Sequence, residues 1–125
     1  MLPSEEIKRF LDNLDQWKEE YKQAYELMKV EDKRLQDLLH AIEFSEGKSE
    51  RNRLATKLRN SRRLRRQYKD KVLLYENIIT FLEDGQNKRV VNLLSQLLGK
   101  QRKQEKTLTA ERIYIPRVEG KEGGE

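Results

Sequence analysis

The densest group of chemically active side chains is NSRRLRRQYKDK, residues 60–71. Asp70 is its only acid, and its cations are Arg62, Arg63, Arg65, Arg66, Lys69 and Lys71. On a helix, like charges three and four residues apart repel by roughly a few tenths of a kcal/mol per pair. Arginine also offers a planar, permanently charged fork that binds phosphate through two N–H groups. The run is therefore either a solvated face that neutralises an acidic helix or an anion site.

The size of the basic block indicates which kind of anion would fit. Duplex nucleic acid is bound by basic residues spread over a large face. Here the charge is concentrated in one block at the middle of a predicted helix, where helices from two subunits would meet. This favours a compact anion, such as a nucleotide with a few phosphates.

A second basic and aromatic group lies near the C-terminus, in RIYIPR, and contains Arg112, Tyr114 and Arg117. An extended arm carrying these residues would close a pocket against the helices. Phe81, near the end of the second predicted helix, either stacks on a base or packs in the core. Asn92, among leucines, either reads a base edge or ribose hydroxyl or is a satisfied interface group.

Residues for catalysis or metal binding are scarce. The chain has no cysteine, and hence no thiolate nucleophile or thiolate metal ligand. His40 is its only histidine and has Glu43 one turn later; catalytic zinc normally takes three protein ligands, so this pair would need other chains. The alternative is a structural histidine near a turn. No nucleophile elbow, P-loop or dinucleotide fingerprint is present. We therefore predict no enzyme, no metal and no cofactor.

Composition favours long, solvated helices. Of the 125 residues, 39% are charged and 35% apolar. Residues 1–47 hold 7 basic and 12 acidic side chains, net −5, and residues 48–73 hold 11 and 2, net +9. The two segments are expected to lie side by side. No apolar run resembles a signal peptide or a membrane span, so we expect a soluble intracellular protein.

Apolar spacing predicts the helices. From Ile7 to Ile42, apolar residues alternate at three and four positions, with one break at Glu31. This heptad seam predicts a first helix over about 4–44, with Ser4 as its N-cap. The segment FSEGKSE, 44–50, predicts a turn in which Gly47 takes a left-handed conformation and Ser49 caps the next helix.

The second helix is predicted over about 50–83, and its seam has two polar positions, Ser61 and Arg65. A third, short helix is predicted over 87–99, ending at Gly99. Residues 112–118 are predicted to be an extended arm, since Pro116 cannot donate within a sheet. Residues 119–125 are predicted to be a disordered tail.

Together these elements predict an all-α fold: a long antiparallel helical hairpin, a short third helix and an extended arm, forming one domain over 1–118. Many apolar residues lie outside the seam. Burying each large one is worth roughly 1.5–3 kcal/mol, so self-association as a dimer, or as a hexamer, is expected.

Three segments resemble a known family. They are HAIEF at 40–44, RNSRRLRRQYKDK at 59–71 and RIYIPRV at 112–118. The chain resembles the small phage and prophage proteins of Gram-positive bacteria that include the Thoeris anti-defence sponges of the first type. The resemblance covers about residues 40–118; the first helix contributes only its heptads.

The resemblance implies a helical, oligomeric, non-catalytic protein in the host bacterial cytoplasm. Such a protein sequesters a cyclic ADP-ribose immune signal intact, and some members hold cyclic oligonucleotides at separate sites. It implies that Arg112 and Arg117 bind the pyrophosphate, that Phe81 stacks on the adenine and that Asn92 hydrogen-bonds the ligand. The block would complete this pocket from a neighbouring subunit or form a second anion site, through Arg62, Arg65, Arg66, Tyr68 and Lys69.

Two other functions remain open from the sequence. The same basic helix would suit a nucleic-acid-binding phage accessory protein. A structural coiled-coil adaptor, in which the charges are merely solvated, is the third possibility. No membrane association is expected in any of the three.

Overall fold

The computed structural model describes residues 1–110, and the predicted arm over 112–118 and tail over 119–125 lie outside this range. The described residues form three α-helices and no strand: α1 over Pro3–Glu43, α2 over Lys48–Glu83 and α3 over Gly85–Thr109. The predicted all-helical class is confirmed for this part of the chain.

The turn between α1 and α2 depends on glycine. Gly47 has a φ of 89°, in the region of positive φ that favours glycine, as predicted. It does not cap α1, however, because the C-cap of that helix is Phe44, three residues earlier. Gly47 is instead the N-cap of α2, which begins at Lys48, so the predicted cap by Ser49 is wrong. Helix α2 therefore begins two residues before the expected start at about residue 50, with Ser49 inside it, because Gly47 itself makes the change of direction.

Helices α1 and α2 contact each other through side chains that lie at similar numbers of residues before and after this turn. Glu20 of α1 accepts a hydrogen bond from the Tyr75 hydroxyl (3.1 Å) and pairs with Lys71 (3.3 Å). Burial, and then the bond to Glu20, raises the pKa of Tyr75. Further contacts link residues 31 and 32 of α1 to residues 61 and 65 of α2. This packing is consistent with two neighbouring helices of opposite direction.

The core is a thin line of small and medium side chains. It contains Leu14, Ala24, Leu54, Val72, Ile79, Leu82 and Leu98. Each of the three helices contributes at least one of these residues. With so few buried apolar groups, each one supplies a large share of the stability.

One layer of this core is polar. Glu31 is 4% exposed and Ser61 is 2% exposed, and the Ser61 hydroxyl donates to the Glu31 carboxylate over 2.8 Å. Arg34, one turn along α1, also donates to Glu31, over 2.9 Å. The sequence marked both positions as breaks in their seams, and the structure places them opposite one another. Because a buried carboxylate must be paired, the layer favours one register of α1 against α2.

Helix α3 is longer than predicted. It passes through Gly99 to Thr109, so the predicted end at Gly99 is wrong. A glycine inside a helix costs only about 1 kcal/mol relative to alanine. Contacts made by Leu98 and Glu105, both 7% exposed, offset that cost on either side of Gly99.

A polar contact ties the C-terminal part of α3 to the start of α1. The Ser4 backbone N–H donates to Glu105 over 2.9 Å, and the Ser4 hydroxyl also donates to that carboxylate. The N-cap of α1 is Leu2, with Pro3 following it, so the predicted cap by Ser4 is wrong. The carboxylate from α3 instead satisfies a free N–H group of the first turn. An acidic group there is also favoured by the helix dipole.

This contact predicts a specific pH dependence. The bond from the Ser4 side chain lowers the pKa of Glu105, despite the opposing effect of burial. A lowered pKa in the folded state means that the contact stabilises the fold above the ordinary pKa of glutamate and is lost as the pH falls through the lowered pKa. Urea unfolding should therefore show that the free energy of unfolding falls more between about pH 7 and about pH 3 in the wild type than in Glu105→Gln. Glu26→Gln, at an exposed position, should behave as the wild type; equal losses in all three proteins would contradict the prediction.

Candidate anion-binding groove

A groove of about 600 Å³ lies between α1 and α2 at the level of the basic block. Its volume is in the range of sites for small ligands. Residues from both helices line it: Asp32, Lys33, Leu35, Gln36, Leu39, Arg62, Arg65, Arg66 and Lys69. The groove thus joins the acidic and basic segments of the sequence.

Helix periodicity brings the α2 cations to one face. Arg62, Arg65, Arg66 and Lys69 follow the spacing i, i+3, i+4 and i+7, which places side chains on one side of a helix. Lys33 adds a fifth positive charge from α1. Four of the five residues predicted for a second anion site therefore line one groove.

Most of these cations have no acidic partner. Among residues 1–110, Arg65 is the only groove cation in an ion pair, through its Nε and the Asp32 carboxylate. Lys33, Arg62, Arg66 and Lys69 form no ion pair within the described residues. A neutralised helix face would have paired them with the acids of α1. The arrangement leaves the groove able to attract an anion.

One wall of the groove is apolar. Leu35 and Leu39 lie one turn apart on α1, and Leu39 is 44% exposed. A ligand that combines phosphate groups with a less polar ring system would place its phosphates on the cations and its rings against this wall. Bare inorganic phosphate would use only the cations. The lining therefore suits an organic phosphate better than a simple ion.

The basic surface continues around α2. A second, smaller hollow of about 360 Å³ shares Arg62 and Arg66 with the groove and is also lined by Arg59, Arg63, Gln67 and Asp70. Tyr68, predicted as part of the anion site, is half-buried and lines neither hollow. Its position two residues beyond Arg66 points it to a different side of the helix.

The predicted base-binding residues lie elsewhere. Phe81 is 54% exposed, so the alternative that it packs in the core is wrong. Asn92 is exposed on α3 and its side chain makes no hydrogen bond to the described residues. Phe81 is sixteen residues from Arg65 along α2, about 24 Å at 1.5 Å per residue. One chain therefore does not bring the two groups into one pocket.

The predicted C-terminal ligands Arg112, Tyr114 and Arg117 lie outside the described residues. His40 is exposed, and its ring meets the Phe44 ring edge-on at 4.9 Å between centroids. Over residues 1–110, no group of three or more His, Cys, Asp or Glu side chains is placed to hold a metal ion.

Sequence reasoning missed the α1 half of the groove, namely Asp32, Lys33, Leu35, Gln36 and Leu39. A signal for it existed in the distance from the turn. Residues 32 and 65 lie 15 and 18 positions from Gly47, so antiparallel neighbours bring them together. Counting back from the turn as far as the arginines lie beyond it gives this part of α1, although not which of its residues meets which arginine.

Comparison of the chain with protein-family models, curated proteins and solved structures found no match. Within residues 1–110, none of the helices has the length and apolar character needed to cross a bilayer. The groove and the exposed residues near it are therefore the basis for assigning a function.

Proposed function

We propose that the protein binds a small phosphorylated nucleotide signal of the cyclic ADP-ribose type and sequesters it without degrading it, as a phage anti-defence sponge. The observation that carries this proposal is the groove between α1 and α2, where four cations are unpaired within the described residues and face an apolar wall. The resemblance at residues 40–44, 59–71 and 112–118 supplies the ligand class.

The groove would bind phosphate through Arg62 and Arg66. Both guanidinium groups are exposed at the groove and belong to neighbouring turns of α2. A pyrophosphate offers oxygens at a separation that two forks one turn apart can reach together. The ribose or base would then contact Leu35 and Leu39. No described residue needs to react with the ligand, since tight binding alone withholds the signal.

Phe81 and Asn92 belong to a second part of the proposal. Their exposure supports stacking and hydrogen bonding to a nucleotide, with Arg112 and Arg117 as the phosphate ligands. The separation of about 24 Å along α2 means that the groove either serves a second ligand, such as a cyclic oligonucleotide, or completes this pocket from another subunit. Both arrangements were open from the sequence.

Self-association is part of the proposed function. Val90, Leu93 and Leu97 form a stripe on α3, each at least 44% exposed, and Leu73 and Leu74 of α2 are exposed as well. Exposed apolar groups in this number indicate an interface between chains. A closed homodimer or hexamer would bury them and hold the ligand sites rigid, which lowers the ordering cost of binding.

Leu93→Asp is expected to convert the assembly to monomers, because it puts a charge on the centre of the apolar stripe. Ser95→Asp adds the same charge to α3 on nearly the opposite side and should leave the assembly intact. Mass measurement by light scattering during gel filtration distinguishes them. A wild type that is monomeric at micromolar concentration would contradict self-association.

The function is tested by isothermal titration calorimetry with cyclic ADP-ribose isomers, cyclic oligonucleotides and duplex DNA. Sequestration predicts saturable binding of a cyclic nucleotide and recovery of that ligand chemically unchanged after the protein is heat-denatured. Recovery of a cleaved product would show catalysis instead. Failure of every cyclic nucleotide to bind would overturn the proposed function.

Nucleic-acid binding is the alternative, and the second hollow beside the groove is the observation that favours it. Arg59 and Arg63 extend the basic surface around α2, beyond what one small anion would contact. In that case, binding would require long duplexes and would weaken steeply with salt, because counterions are released from the phosphates. A steep salt dependence with duplex DNA, and none of the cyclic nucleotides bound, would decide for this alternative.

A further inference from the structure

The groove contains one negative charge among its cations. Asp32 lies on the α1 side, 45% exposed, and its carboxylate accepts a hydrogen bond from Nε of Arg65, which is 36% exposed. The lining thus has five cations and one carboxylate, a formal charge of +4. By its charge alone, this carboxylate weakens the attraction of the groove for anions.

The position of the carboxylate gives it two effects on a bound anion. It holds Arg65 through Nε, which leaves the two Nη groups of the guanidinium without a hydrogen bond to the described residues. It also repels any negative charge in the groove. The first effect is nearly the same for every phosphate ligand, whereas the repulsion grows with each added ligand charge.

We propose that Asp32 is a charge-selectivity determinant, which makes the groove discriminate against highly charged nucleotides such as triphosphates in favour of pyrophosphate diesters. This inference rests on the proposed function in taking nucleotides as the ligand class. It adds a physical reason for the acid: a sequestering protein must not be filled by the nucleoside triphosphates of the cell. The Asp32–Arg65 pair lowers the groove's charge without removing its phosphate-binding arginines.

The ratio of two affinities isolates the effect. ADP-ribose and ATP share adenine, ribose and a pyrophosphate, but they carry about two and about four negative charges without magnesium. If Arg65 is no longer held in place in the Asp32→Asn variant, the affinities for ATP and ADP-ribose change by a similar factor, and this factor cancels in their ratio. Removal of the carboxylate charge would favour ATP more than ADP-ribose.

The experiment is competition calorimetry in magnesium-free buffer at about 0.1 M salt, with the full chain and its Asp32→Asn variant. The expected result is a rise of about fivefold in the affinity for ATP relative to ADP-ribose. Asp37→Asn is the matched control: it removes the same charge from an exposed position of α1 that does not line the groove. Because Asp37 lies about 7.5 Å farther along the helix, where salt screens part of its effect, the change in its ratio should be much smaller than that of Asp32→Asn. A drop of about tenfold in both affinities in Arg62→Ala would locate both ligands in the groove.

Three results would overturn the inference: an unchanged ratio in Asp32→Asn, the same change in Asp37→Asn, or no binding of either nucleotide to the wild type. The proposed function fails separately. If ATP and ADP-ribose bind with the expected dependence on Asp32 but no cyclic nucleotide binds, the selective role of Asp32 is supported and sequestration of a cyclic signal is contradicted. If cyclic ADP-ribose binds while the ratio is unchanged, the function stands and Asp32 has no selective role.

Discussion

Replacing Arg62 and Arg66 together by alanine is expected to weaken binding of a phosphorylated nucleotide in the groove about 100-fold, without unfolding the protein. Both arginines line the groove and are without an ion-pair partner in residues 1–110. A hydrogen bond to a charged group contributes about 1.5 kcal/mol at the lower end, so two such contacts give about two powers of ten in affinity. Relief of like-charge repulsion along α2 should leave stability unchanged or slightly raised.

A matched control exists on the same helix. Arg51→Ala with Arg53→Ala removes the same charge from exposed positions outside the groove. Arg53 is nine residues from Arg62, about 13 Å along the axis and beyond the screening length at physiological salt. Calorimetry should show near-wild-type affinity for this control. Equal losses in both double variants would mean that net charge, and not the groove, governs binding, and would favour the nucleic-acid alternative.

Leu82→Ala is expected to cost about 2–5 kcal/mol of unfolding free energy, the largest effect on stability among the single changes considered. Leu82 is 6% exposed near the end of α2, where the described part of the chain has a core of only a few side chains. The surrounding helices close such a cavity only partly, so most of the lost packing is not recovered. Such a loss is a large fraction of the 5–15 kcal/mol typical of a domain.

Urea unfolding followed by circular dichroism measures this loss. Protein concentration must be the same for all variants, since association of chains raises apparent stability. Leu108→Ala is the control, because Leu108 is 60% exposed near the end of α3 and its truncation leaves no internal cavity. Should Leu82→Ala and Leu108→Ala unfold at the same urea concentration, the core assigned to Leu82 would be wrong.

The helices were predictable because their signals are local. The heptad spacing from Ile7 to Ile42 depends only on residues three and four positions apart, and Gly47 marks a turn that needs positive φ. The cap assigned to Ser49 was wrong for a local reason, since α2 already begins at Lys48, directly after Gly47. The other errors arose where an end depends on a distant partner. The cap assigned to Ser4 was wrong, and α3 continues through Gly99, because Glu105 and Leu98 gain contacts that no local pattern shows.

The candidate site was predicted only in part for the same reason. Spacing along α2 alone groups Arg62, Arg65, Arg66 and Lys69 on one face, and this face does line the groove. It could not show that Asp32 would neutralise one arginine and leave the others unpaired. That choice depends on the register between two helices, which a sequence pattern on either helix does not contain.

By itself, the sequence determined that this chain forms long, highly charged helices with a concentrated basic block, because periodicity and charge are properties of neighbouring residues. Tertiary structure decided which acid meets which base, since burial of Glu31 against Ser61 selects one register of α1 on α2. That register places Asp32 beside Arg65, and both residues line the groove between the two helices. The physical reason is that a buried carboxylate tolerates only a pairing that satisfies it, whereas exposed charges accept many.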